Sequence, residues 1–235
     1  MFQPGEIEVS EVYHLPIIKA FAERIDLMNT INRLVSSNME IDPGTLVLAM
    51  VLDVLSGRHP LYRVGSFYAN KDTELLLDQP LEPEKLSDDN FGRMLDLLYA
   101  ANTTHLFSAI AGNALRNFQV PTQHVHFDTT SVTVYGAYEP ADPDSPSVLK
   151  ITKGHSKDHR PDLNQFLISL LCTGGNVPIF SKLEDGNASD KKVNNAVLTD
   201  ISRKLSTVGI DPAASIYIAD SAFVTEDNLR LAAED

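Results

Sequence analysis

Two aspartates stand where aspartate is least expected. Asp128 lies inside HVHFDTTSVTVYGAY (residues 124–138), a run otherwise rich in β-branched, aromatic and hydroxyl residues, and aspartate is disfavoured in strand interiors. Asp220 ends the apolar run Ile216, Tyr217, Ile218, Ala219. Two carboxylates at neighbouring strand ends can hold one or two divalent cations, and oxygen ligands suit Mg²⁺ or Mn²⁺. A pair of such ions about 3.5–4 Å apart activates a water and stabilises the leaving oxygen of a phosphodiester. Each aspartate alone also fits a residue that starts a turn, because strand-end Asp is common. Spacing does not separate the two possibilities.

A rival metal chemistry starts from the same strand. His124, His126 and Asp128 fall at i, i+2 and i+4, so their side chains share one face. A His-x-His strand is how amidohydrolase-type barrels hold zinc. Such a barrel needs about 250 residues with the motif near its start, whereas 109 residues follow His126 here. The histidines fit better as strand residues packing on neighbours, or as partners that orient Asp128.

Positive charge concentrates in KITKGHSKDHRPD (150–162), with four Lys/Arg and two His in thirteen residues. Lys153, His155, Lys157, His159 and Arg160 there are candidates for phosphate contact; a solvated loop is the alternative.

The elements that must carry these residues change texture near Val120–Pro121, which predicts domains at 1–120 and 121–235. From Leu15 to Val35 apolar residues recur at three- and four-residue spacing, one face of a helix. Asp42 and Pro43 open a second helix that Gly57 closes. A short amphipathic piece covers Leu61–Tyr68, and further helices are expected from Ser87 to Tyr99 and from Leu106 to Phe118. After residue 120 the period becomes that of strands: 124–138, 163–172 and 177–183, the last two joined by Thr173–Asn176. Ser189 or Asp190 then caps a helix bearing Val193, Ala196, Val197, Ile201, Leu205 and Val208, ended by Gly209. Asp211 and Pro212 lead into the strand ASIYIAD, and Thr225 starts a last helix whose final residues are acidic where the dipole prefers cations. The expected class is α+β or α/β: a helical amino-terminal domain, then a mixed β-sheet domain with an antiparallel meander and a crossover.

The charge balance narrows the function. Nineteen Lys and Arg against 32 Asp and Glu leave −13, shared between residues 1–120 (9 basic, 16 acidic) and 121–235 (10 and 16). Nonspecific nucleic-acid affinity is mostly Lys and Arg neutralising phosphate, so DNA contact must rest on a local patch. One cysteine, Cys172, excludes an internal disulfide. The longest wholly apolar run, Leu46–Leu52, is far below the roughly 20 residues of a membrane span. The opening MFQPGEIEVS has neither the basic nor the apolar region of a signal peptide. A soluble, cytoplasmic chain is expected.

The succession HFDTTSVTVYG, GHSKDHRPDLNQFLISLL, VPIFSKLEDGNASD and IYIADSAFVT resembles the DDE transposases of bacterial and archaeal insertion sequences, closest to the insertion-sequence-4 superfamily. Residues 12–118 also resemble an amino-terminal domain of uncharacterised function found on one branch of these proteins. The resemblance implies a ribonuclease-H-like core, metal-dependent DNA cleavage and strand transfer, Mg²⁺ or Mn²⁺, and transposon-end DNA as partner, with a homodimer or intact transposase as further partners. It also implies a nucleoid-associated location when DNA is bound. It makes Asp128 and Asp220 the first and second catalytic, metal-binding aspartates. The family's third carboxylate is a glutamate on a later helix, in a Tyr-x-x-x-Arg-x-x-x-Glu type of segment. No such segment occurs here, and Glu184, Asp185 and Glu234 do not sit in that setting. The expectation is a carboxy-terminally truncated transposase, inactive alone, with a noncatalytic regulator that binds DNA or intact transposase as the alternative.

Overall fold

The computed structural model describes residues 9–138, 149–155, 160–188 and 201–218. The chain forms two compact units, one ending at Leu106 and the other beginning at Phe107. Among the described residues the first is helical and the second holds a mixed four-stranded sheet, an α+β arrangement as expected.

The first unit contains α1 (Leu15–Arg24), α2 (Leu27–Leu34), α3 (Pro43–Val54), α4 (Val64–Tyr68), α5 (Thr73–Leu77) and α6 (Asp88–Ala100). The helix expected over Leu15–Val35 is two helices. Asp26 takes a left-handed conformation (φ 53°), and its carboxylate accepts from Asn29 Nδ2 (2.8 Å) and Thr30 Oγ1 (3.2 Å). Short polar side chains are among the few that visit this region and bond locally there. The apolar period continues across the break, which is why periodicity does not report it. α5 was not expected. It begins at Asp72, whose Oδ1 accepts from Leu75 N (2.9 Å), and its Leu76 and Leu77 are fully buried.

The centre of this unit is α3, whose Leu46, Leu48, Ala49 and Leu52 have essentially no solvent contact. Phe91 and Met94 of α6 are equally buried. Each large side chain removed from water contributes about 1.5–3 kcal/mol. Tyr68 is buried among them and its hydroxyl donates to Ala49 O (3.0 Å). The first turn of α3 lies directly on α2. A Cβ on Gly44 would meet Met28 O at 2.5 Å and Met28 Cα at 2.9 Å. Gly44→Ala is therefore expected to destabilise by about 1–2 kcal/mol, since overpacking costs roughly 1–3 kcal/mol and outweighs the helix propensity gained. Urea unfolding checks it; a variant as stable as the parent contradicts the contact.

In the second unit α7 (Thr103–Phe118) brings Leu115 to the sheet, and its residues from Phe107 onward belong to this unit. The strands are β1 (His124–Val134), β2 (Asn164–Thr173), β3 (Pro178–Glu184) and β4 (Ile216–Ile218), in the order β3-β2-β1-β4. β1 is antiparallel to β2 and parallel to β4; β2 is antiparallel to β3. The β2–β3 turn uses a left-handed Asn176 (φ 60°), with Thr173 N bonded to Val177 O. α8, described over Ile201–Thr207, ends at Gly209 (φ 80°) as expected. The core is Val125, Phe127, Leu171, Ile179 and Phe180 from the sheet, under Leu115, Leu205, Val208 and Ile210. The expected helix starts at Ser189 or Asp190 and at Thr225 lie outside the described residues.

Candidate functional site

β1 alternates cleanly. Val125, Phe127, Thr129 and Ser131 are buried, while His124, Asp128 and Thr130 are exposed and His126 is half-buried. With a side-chain period of two, the apolar set that builds the core turns Asp128 to the opposite face. Its Oδ1 accepts the backbone N–H of Thr129 (2.7 Å). Across the sheet Asp128 pairs with Leu170, and His126 pairs with Cys172 on one side and Ile218 on the other. Asp128 thus sits two residues beyond the last described β1–β4 pair. Asp220, two residues after Ile218, lies outside the described residues, as do Lys157 and His159.

His124, His126 and Asp128 share a face as the spacing required. They do not converge: among the described residues no three His, Cys, Asp or Glu side chains are grouped closely enough to hold a metal ion. Successive same-face residues stand about 6.6–6.8 Å apart along a strand, so sharing a face does not bring donor atoms together. The setting of Cys172 disfavours its thiolate. Burial pushes its thiol pKa up, and the neighbouring Asp128 charge pushes it further.

Of the five candidate phosphate contacts, Lys153, His155 and Arg160 are described, and all three are exposed. The segment is less positive than its composition. Arg160 is paired with Asp162 through two hydrogen bonds, Nε to Oδ1 (2.9 Å) and Nη2 to Oδ2 (2.7 Å). This fork holds the Asp162 carboxyl down at about 2 and raises the guanidinium further. The pair is therefore intact above the ordinary carboxylate pKa and is lost as pH falls through about 2. An NMR titration of the Asp162 carboxyl should give a midpoint near that value, rising toward the ordinary carboxylate range in Arg160→Ala; an unchanged midpoint in the variant would contradict the pairing.

Two arrangements have no sequence motif. Gln165, 2% exposed at the start of β2, donates from Nε2 to Gly186 O (2.7 Å) and His155 O (3.4 Å). In the helical unit, the carboxylate of Asp53 is buried and accepts from His59 N (2.9 Å) and contacts His59 Nδ1 (2.6 Å). The His59 ring also lies 5.4 Å from Phe67. An aspartate at the end of an apolar helix, followed six residues later by histidine, is the single sequence cue to that pair. The same unit has an apolar groove of about 330 Å³ between α3 and α6, lined by Val47, Met50, Val54, Leu55, Leu95 and Leu98 among others.

No helix among the described residues is long and apolar enough to cross a membrane. Residues 7–112 match the model of a family described as a domain of unknown function, DUF4277. That match falls on the helical part of the chain, where a resemblance to an uncharacterised amino-terminal domain was expected, and carries no activity with it. Neither the curated proteins nor the solved structures give a match.

Proposed function

We propose that this chain is of DDE-transposase type and that Asp128, with Asp220, forms a weak Mg²⁺ or Mn²⁺ site in a ribonuclease-H-like sheet. The observation that supports this best is the sheet itself: order β3-β2-β1-β4, with β4 parallel to a β1 that carries an exposed aspartate in its middle. Asp220 follows Ile218 by the same two residues by which Asp128 follows His126, and His126 and Ile218 are paired. Exposed carboxylate oxygens are the donor type that these hard cations take. Bound ions would supply water activation and neutralise charge on the leaving oxygen of a phosphodiester. The chain's own part is to hold the Asp128 carboxylate, through the Thr129 N–H, on a rigid strand clear of the core. Lys153, His155, Lys157, His159 and Arg160 would contact the backbone of transposon-end DNA, in a cytoplasmic, nucleoid-associated setting.

With two of the family's three carboxylates matched, binding is expected to be weak and DNA strand transfer by this chain alone absent. Calorimetric titration with Mn²⁺ tests the site. A weak isotherm lost in Asp128→Ala/Asp220→Ala supports it; identical isotherms overturn it. A noncatalytic role, binding DNA or intact transposase, is the second reading, favoured by the net charge of −13. Nicking of supercoiled plasmid with Mn²⁺, lost in Asp128→Ala, would exclude it.

A further inference from the structure

Three backbone segments meet at Gln165 more closely than side chains allow. Thr152 and Gln165 exchange both backbone hydrogen bonds (3.1 and 3.0 Å), forming an isolated bridge beside β2. Past β3, Gly186 N donates to Lys150 O (2.9 Å), and Lys150 N donates to Asp185 Oδ1 (2.9 Å). A Cβ on Gly154 would fall 1.9 Å from Gly186 O and 2.6 Å from Gln165 Nε2. A Cβ on Gly186 would fall 1.9 Å from Gln165 O. Both glycines are thus required by close approach of backbone to backbone.

The glutamine holds this clasp shut. Its Nε2 bonds both the Gly186 and the His155 carbonyls, while its Oε1 is buried without a hydrogen-bond partner among the described residues. An apolar side chain would fill the same place in β2 without burying an unbonded oxygen. What Gln165 adds is the tie between the segment 150–155 and the turn after β3. The tie fixes a stretch on which the Lys150, Lys153 and His155 side chains are exposed. It stands five residues along the sheet from Asp128, since Gln165 pairs with Thr133 and Leu170 with Asp128. At about 3.4 Å per residue that is roughly 17 Å, too far for these side chains to share ligands with Asp128.

We propose that Gln165, clasped between Gly154 and Gly186, is a positioning residue that presents Lys153 and His155 to the phosphate backbone of DNA. This rests on the reading of the chain as a DNA-binding protein given above. A pre-ordered segment loses less entropy on binding than a free loop, so opening the clasp must weaken the contact that Lys153 makes.

A double-mutant cycle reads this, using the full chain and a fluorescein-labelled DNA duplex of arbitrary sequence. At about 50 mM salt Lys153→Ala should weaken binding about tenfold and flatten the slope of log affinity against log salt by about 0.9. Gln165→Leu should do the same, and the double variant should lose about tenfold rather than a hundredfold, because residues coupled through one shared backbone segment are not additive. Gly154→Ala opens the clasp without altering β2 and should reproduce Gln165→Leu, which guards against misfolding of the latter; circular dichroism verifies the fold of each. Additive losses, or a slope unchanged in both clasp variants, would overturn the positioning role while leaving the DNA-binding reading intact. A parent chain with no measurable affinity for the duplex would overturn both.

Discussion

His59→Ala lowers the thermal midpoint of the helical signal by roughly 10–20 °C. The Asp53 side chain is 2% exposed and takes hydrogen bonds from both the backbone and the ring of His59. Removing the ring leaves a buried carboxylate with half its partners. Leaving a buried carboxylate short of a partner costs up to about 3–5 kcal/mol. The His59 ring is 38% exposed, so water reaches the gap and the loss falls to about 2–3 kcal/mol, toward the penalty for an unmet buried acceptor. In a unit of this size each kcal/mol moves the midpoint by about 4–8 °C. Asp53→Asn keeps an acceptor for the His59 N–H and adds no unpaired charge, so it should cost about half as much. Circular dichroism melting of the two variants decides; a midpoint within about 3 °C of the parent in His59→Ala would show that water replaces the ring.

The second large effect concerns DNA on the proposed reading, and it turns on Arg160. Composition offers Lys150, Lys153, Lys157 and Arg160 as four charges, yet Arg160 is engaged by Asp162 through two hydrogen bonds. Three effective charges give a slope of log affinity against log salt of about −2.7, and four about −3.6. Raising salt from about 50 to about 150 mM should therefore weaken binding roughly 20-fold in the parent. In Asp162→Ala the guanidinium, released from that carboxylate, steepens the loss to roughly 50-fold and raises affinity at low salt. Replacing Lys153, Lys157 and Arg160 together with alanine should remove most binding. Fluorescence anisotropy over a salt series measures all three. A parental slope in Asp162→Ala would mean that Arg160 takes no part, and tight binding in the triple variant would place the DNA surface in the helical unit.

Local patterning was enough to locate much of this molecule. The three-to-four period marked the helical stretch from Leu15, and the Asp42–Pro43 and Ser87 starts sit where α3 and α6 begin. The alternation in 124–134 put Asp128 and the two histidines on the face opposite Val125 and Phe127, because a strand's side-chain period is geometric. Gly209 ended its helix through a positive φ that glycine takes without strain. These are short-range effects, written in neighbouring residues.

Tertiary structure decided the rest. The left-handed Asp26 splits a helix whose apolar stripe runs on unbroken, since what fixes the break is a set of side-chain bonds to Asn29 and Thr30. That β4 lies beside β1 is what two aspartates at neighbouring strand ends call for; its parallel direction and the match of His126 to Ile218, 92 positions away in sequence, came only with strand pairing. Composition read Arg160 as available charge; its pairing with Asp162 depends on how the chain turns between them. The Gln165 clasp and the Asp53–His59 pair follow from close packing of segments that no periodicity connects. A side chain's type declares what chemistry it can do. Which neighbours meet its charge, and how much water remains beside it, are settled by the fold, through turns as short as Arg160–Asp162 and contacts as long as Gln165–Gly186.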